Sequence, residues 1–109
     1  MKGTIKAKTD VERLFRDGRR STSYLLTLLV RQTDDPGRCA FIAGKKLGVA
    51  PLRSRCKRVM REVARELGGP WDGFDVVFVA KRKVAHAPHD KVVRQTRRQL
   101  MESGVIDGN

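Results

Sequence analysis

The sequence predicts an α+β domain in which helices are laid on a single sheet, in the order α-β-β-α-β-α. Three observations lead there. Ser21–Arg31 (STSYLLTLLVR) is rich in strand formers and apolar on both alternations, and Phe74–Ala80 (FDVVFVA) is the least ambiguous strand. Residues 52–67 (LRSRCKRVMREVAREL) instead repeat their apolar residues at helical spacing. Glycine and proline clusters punctuate the intervals. The 109 residues are enough for one domain with a modest core, spanning 1–109.

Taken in order, the first helix starts at a Thr9–Glu12 capping box with Asp10 in its first turn and stops at Gly18. Val11, Leu14 and Phe15 form its apolar face. Ser21–Arg31 reads as one strand, Asp34-Asp35-Pro36-Gly37 as a turn, and Cys39–Ala43 as a second strand, the pair expected to form an antiparallel hairpin. Gly44-Lys45-Lys46-Leu47-Gly48 is a basic loop. Pro51 opens the long helix and Gly68-Gly69-Pro70 closes it. Phe74–Ala80 is the clearest strand and runs into Lys81-Arg82-Lys83. A last helix covers about 88–103, with Val92, Val93, Thr96 and Leu100 inward and Arg94, Arg97 and Arg98 outward.

The long helix carries the functional signal. At 100° per residue, Leu52, Cys56, Val59, Met60, Val63 and Leu67 share an apolar arc. Arg53, Lys57, Arg58, Arg61 and Arg65 fill the adjoining arc with Ser54, and only Ala64 dilutes the cations. A solvated face normally alternates charge signs, but this one holds no acid, and Glu62 and Glu66 lie on its far flank. Residues 45–65 contain eight cations (Lys45, Lys46, Arg53, Arg55, Lys57, Arg58, Arg61, Arg65) and one anion, Glu62. The whole chain has 24 Lys+Arg against 12 Asp+Glu, a formal charge of +12. Such a charge favours a polyanionic partner, nucleic acid above all.

Other classes are excluded by composition and spacing. No run approaches the ~18 apolar residues of a membrane span, and the N-terminus lacks the apolar stretch of a signal peptide. A cytoplasmic address and no membrane partner are therefore expected. Cys39 and Cys56 have no metal-type spacing and read as buried reduced thiols. His86 and His89 straddle a helix start without a third ligand. The Gly44 loop is not a phosphate-binding P-loop, because Cys39 and Lys46 stand where Gly and Ser/Thr are required. Asp72 and Asp75 read as turn residues at a strand entry. No catalytic centre and no metal site emerge. Among the aromatics (Phe15, Tyr24, Phe41, Phe74, Phe78), Phe15 is the candidate to line a groove, since a short helix beside a sheet can present it.

These pieces resemble the protein component of bacterial ribonuclease P. The block IAGKKLGVAPLRSRCKRVMRE (42–62) follows the family's Ser-Lys-Lys, Gly-Asn-Ala, Arg-Asn-Arg, Lys-Arg, Arg-Glu pattern. Lys45, Lys46, Gly48, Ala50, Arg53, Arg55, Lys57, Arg58, Arg61 and Glu62 are in register. TDVERLFRDGRR resembles the opening helix and FDVVFVAKR the late strand. The departures are Gly44 for Ser, Val49 and Ser54 for Asn, and Val11 for an aromatic. The resemblance implies a two-layer α/β sandwich with about four strands and a left-handed β-α-β crossover, the fourth strand being implied only. It also implies a protein, monomeric within its ribonucleoprotein, that binds a catalytic RNA subunit and the 5′ leader of precursor tRNA. Leader removal would use Mg2+ held mainly by that RNA, with no catalytic side chain from the protein. Lys45, Lys46, Arg53, Ser54, Arg55, Lys57, Arg58 and Arg61 would contact RNA. Val11, Phe15 and Leu29 would line a leader cleft bordered by Lys81 and Arg82. The alternatives are a ribosome-associated or general RNA-binding module and a major-groove DNA binder. The latter would want Asn or Gln on the exposed helix face, and positions 53–65 have neither.

Overall fold

The computed structural model describes Ile5 and residues 8–107. Helix α1 is Lys8–Asp17, followed by strands β1 (Arg19–Thr22), β2 (Leu26–Gln32) and β3 (Arg38–Ile42). A 3-10 turn at Lys45–Leu47 leads into helix α2 (Ala50–Glu66) and strand β4 (Phe74–Ala80). A second 3-10 turn, Arg82–Ala85, precedes helix α3 (His89–Glu102). The four-stranded sheet has the order β1-β2-β4-β3.

Two expectations about the strands are corrected. The single strand expected over 21–31 is two strands of a tight hairpin, β1 and β2, joined through Ser23–Leu25. Serine makes the reversal: the Ser23 hydroxyl accepts from the Leu25 and Leu26 amides at 3.2 and 3.3 Å, and the Ser23 amide donates to Leu26 O at 3.0 Å. Such a hydroxyl-made turn needs no glycine or proline. This hairpin supplies the fourth strand. The expected β2–β3 hairpin does not form either, because β4 lies between the two, antiparallel to β2 and parallel to β3. The 33–37 turn crosses the end of β4 instead, where the Thr33 amide donates to Gly73 O at 2.9 Å. Gly37 is packed so closely there that a Cβ would stand 1.6 Å from the Trp71 carbonyl oxygen.

The helices divide between the two faces. Alternation along the strands sends Leu26, Leu28, Val30, Val76, Phe78 and Ala80 to the α2/α3 side, where they join Cys56, Met60, Val63, Val92 and Leu100 in the main core. This sheet and helix pair form the expected sandwich. The opposite set, Leu29, Ala40 and Val77, packs with Leu14 of α1 and Ile5 in a smaller cluster. Helix α1 thus covers part of the other face. It begins by Lys8, so Thr9 lies inside its first turn and caps nothing among the described residues. Ala64, expected among the cations, is buried, which narrows the polar arc of α2 on that side.

Helix α2 ends in a Schellman motif, with Gly69 N–H bonding Ala64 O (2.8 Å) and Gly68 N–H bonding Arg65 O (3.1 Å). Gly68 has φ +95°, the left-handed conformation this cap requires. Trp71 then folds back, donates to Leu67 O at 3.2 Å and stacks on Phe78. On α3 the buried Gln99 amide donates to Ser21 O (2.8 Å) and Leu26 O (3.3 Å), tying the β1–β2 hairpin to the helix. Cys39 and Cys56 are both buried free thiols. Burial pushes the Cys39 thiol up to about 12, so it stays protonated at neutral pH.

Candidate nucleic-acid interface

Parallel pairing of β3 and β4 brings their C-terminal ends to one end of the sheet. Each strand runs directly into basic residues: Lys45 and Lys46 after β3, Lys81 and Arg82 after β4. All four are exposed. The two loops touch, Arg82 Nη2 donating to Leu47 O at 3.4 Å. Helix α2 starts from the same end, so its cations continue the basic surface. From Arg53 to Arg65 that row is about 18 Å long at 1.5 Å per residue.

Within the row the side chains have different duties. Arg55, Arg58, Arg61 and Arg65 are exposed, as is Ser54, while Arg53 and Lys57 are half-buried along the β3 edge. The Arg53 guanidinium donates from Nε to Ala43 O at 3.0 Å, which fixes the helix start to the end of β3. Arg61 lies over the Phe41 ring, 5.7 Å from its centroid. Among the described residues none of these cations, nor Lys45 or Lys46, pairs with a carboxylate; the ion pairs lie elsewhere. Glu66, on the flank, contacts His89 at 3.4 Å. An uncompensated row of this kind suits a phosphate backbone.

Val49, one of the departures from the family pattern, is the N-cap of α2, is 70% exposed and makes no side-chain cap bond. An Asn there would accept from an amide of the first turn.

On the opposite face three cross-strand rows lie side by side. The first is Arg31, Asp75 and Arg38; the second Arg20, Leu29, Val77 and Ala40; the third Thr22, Thr27, Val79 and Ile42. Helix α1 covers the first two. Arg38 makes a two-point contact with Asp75 (3.3 and 3.0 Å) and reaches Asp10 of α1 with Nη1 at 3.3 Å. The Asp75 carboxylate is buried within β4, not in a turn as its sequence context suggested. Its hydrogen bond to Arg38 is the main cause of that guanidinium's raised pKa. The bridge pins the N-terminal half of α1 to the sheet.

The third row is left open, and with α1 it forms a half-covered cleft. Val11 packs beside Ile42 and Val79 at the helix edge of it, and Phe15, 43% exposed and one turn on, shares that side of α1 by helical spacing. Val79 and Ile42 give an apolar floor, and the Thr22 and Thr27 hydroxyls bond each other at 2.7 Å at its β1 end. Lys81 and Arg82 follow Val79 closely along the chain, so the cleft opens toward the basic end. Leu29 is 1% exposed beneath α1 and offers no surface to the cleft; its row is the one the helix covers. The floor residues Thr22, Thr27, Ile42 and Val79 escaped sequence reading, because their alignment depends on a strand order that the sequence does not reveal.

The ribonuclease P family model matches residues 2–103. The chain belongs to the ribonuclease P protein family. Relatives agree over nearly the full length. The ribonuclease P protein component of Natranaerobius thermophilus is 29% identical over 97% of this chain and 94% of its own. That of Roseiflexus castenholzii is 32% identical over 95% and 88%. Among solved structures, the Staphylococcus aureus RNase P protein superposes with a TM-score of 0.84 at 20% identity, covering 98% of this chain and all (100%) of the other. The Thermotoga maritima protein gives 0.73 at 24% identity, covering 96% and 98%. Both share this four-stranded α+β fold. Membership makes the chain a protein component of ribonuclease P, a ribonucleoprotein nuclease of tRNA processing, with an RNA subunit as partner.

Proposed function

We propose that this protein anchors on the RNA subunit through the α2 row and the 45–46 loop, and holds the 5′ leader of precursor tRNA in the cleft beside α1. The observation that carries the reading is the continuity of an unpaired cationic surface with a half-open apolar sheet face. The first neutralises phosphates; the second, edged by Phe15, suits unpaired bases. The protein binds and orients, and cleavage chemistry belongs to the RNA. Among the described residues no three His, Cys, Asp or Glu side chains converge. Magnesium ions are assigned to the RNA subunit on the family resemblance, and no step is routed through the protein. Within the assembly the protein acts as a monomer in the cytoplasm; no helix among the described residues is long and apolar enough to cross a membrane.

The test compares precursor and mature tRNA. Phe15→Ala should weaken precursor binding by roughly 1–3 kcal/mol, the range of one lost base stack, and leave mature tRNA nearly unchanged. Melting is measured alongside and should shift little, since the ring is already partly in solvent. Equal loss for both tRNAs would remove the leader from the cleft.

A further inference from the structure

A second cationic surface lies at the other edge of the sheet, where the function proposed above makes no use of it. The α2 row sits on the β3 side, as the Arg53–Ala43 and Arg61–Phe41 contacts fix. Helix α3 sits on the β1–β2 side, fixed by Gln99. The edge strands β1 and β3 are three strand spacings apart, about 14 Å.

On the outer face of α3, Lys91, Arg94, Gln95 and Arg98 form one stripe at i, i+3, i+4 and i+7. With Tyr24 they line a shallow cleft of about 240 Å³. Tyr24 stands on the Ser23–Leu25 reversal, 52% exposed and outside both core clusters. The turn that carries it is held by four hydrogen bonds of Ser23 to Leu25 and Leu26, so the ring is presented from a fixed backbone. The Lys83 ammonium lies 5.9 Å from the ring centroid. The surroundings of the ring are therefore cationic. Among the described residues the one ion pair made by these cations is Arg94 with Asp90 at 3.4 Å, an exposed i,i+4 pair that contributes little.

We propose that this cleft is a second RNA site, which takes one unpaired base of the RNA partner against Tyr24 and its flanking phosphates on Lys91, Arg94 and Arg98. The volume is below the roughly 300–1,000 Å³ of small-molecule pockets and fits a single base. The tyrosine face provides stacking, and the Gln95 amide offers both a donor and an acceptor to a base edge. An acidic protein segment would use the cations but leave the ring idle. The site rests on the RNA-binding reading, and it deepens that reading: the RNA must contact two opposite edges of the sheet.

The test uses the full chain and a single-stranded hexa-adenylate carrying one 2-aminopurine. Binding at low salt should quench the probe. Tyr24→Leu should weaken binding roughly 5- to 150-fold, and Tyr24→Phe should keep it. Arg94→Ala with Arg98→Ala should weaken binding and flatten the salt slope by about 1.4. Arg16→Ala, which removes an exposed cation of neither surface, should leave the quenching in place. Trp71 fluorescence confirms folding of each variant. An unquenched probe, an abasic oligonucleotide bound as tightly, unchanged affinity in Tyr24→Leu, or competition by poly-glutamate equal to that by RNA would each overturn the proposal. If the RNA subunit still binds through α2 in that event, the function proposed above stands. If neither RNA binds, both fall.

Discussion

Replacing Lys57 and Arg58 with Ala removes two cations from the α2 row without touching the contacts that hold the helix in place. Neither side chain makes a hydrogen bond or ion pair among the described residues, in contrast to Arg53, whose Nε bond to Ala43 O ties α2 to the sheet. Alanine is also the better helix former, so the fold should persist with an unchanged melting temperature. If about six of the 45–61 cations engage phosphates, each releases ~0.7–0.9 counterion, and log affinity should fall with log salt at a slope of about −4 to −5.5. The double variant should be flatter by about 1.4–1.8. From 50 to 200 mM salt, the parent should then lose affinity by roughly 300- to 1,700-fold and the variant by only about 50- to 150-fold. The assay is filter binding of the RNA subunit across that salt series. An unchanged slope would refute the assignment of these cations to phosphate, as would a salt-independent parent.

Two further outcomes follow from local geometry. Arg38→Met leaves the Asp75 carboxylate, 2% exposed, without its partner; the cost should be about 3 kcal/mol, the low end for a broken buried pair, because Arg38 is itself 37% exposed. At ~4 °C per kcal/mol the melting temperature should fall by about 12 °C, and adding Asp75→Leu should recover most of it. A loss that the second change does not relieve would contradict a charge origin. Val49→Asn gives α2 the missing side-chain cap and should stabilise the protein by about 1 kcal/mol in denaturant titration; no gain would mean that the helix start is already satisfied.

Where local chemistry decides the outcome, the sequence was readable. The bounds of α2 follow from Pro51 and Gly68-Gly69, the span of β4 from its unbroken apolar run, and the buried arc of α2 from its periodicity, Ala64 excepted. Reading failed where the information is non-local. The FDVVFVA run is apolar on both alternations, which is what a strand flanked on both sides and covered on both faces requires. The short Asp34–Gly37 turn instead suggests adjacency of β2 and β3, which the strand order overturns. The Ser23 reversal was hidden inside an apolar stretch because a hydroxyl does the work of a glycine. Asp75 reads as a turn residue in the sequence because its partner Arg38 lies 37 positions away. For the interface, the α2 cations were visible as a pattern, and the floor of the cleft was not, since Thr22, Thr27, Val79 and Ile42 meet only through the register of four strands. Leu29 was expected in the cleft on resemblance alone and lies under α1.

The central claim is that this protein contributes binding, not cleavage chemistry, to its ribonucleoprotein. The direct measurement is cleavage of end-labelled precursor tRNA by purified, RNA-free protein with magnesium from pH 5 to 9, with and without the RNA subunit. Phosphodiester cleavage needs an activated water and charge stabilisation at the scissile phosphate, commonly from metals on clustered ligands. No such cluster exists among the described residues. The account predicts no cleavage by the protein alone at any pH. With the RNA subunit present it predicts cleavage at the leader junction, faster at low magnesium when the protein is added, because its cations offset repulsion between the RNA strands. Site-specific cleavage by the protein alone, abolished by replacing one of its own carboxylates, would contradict it.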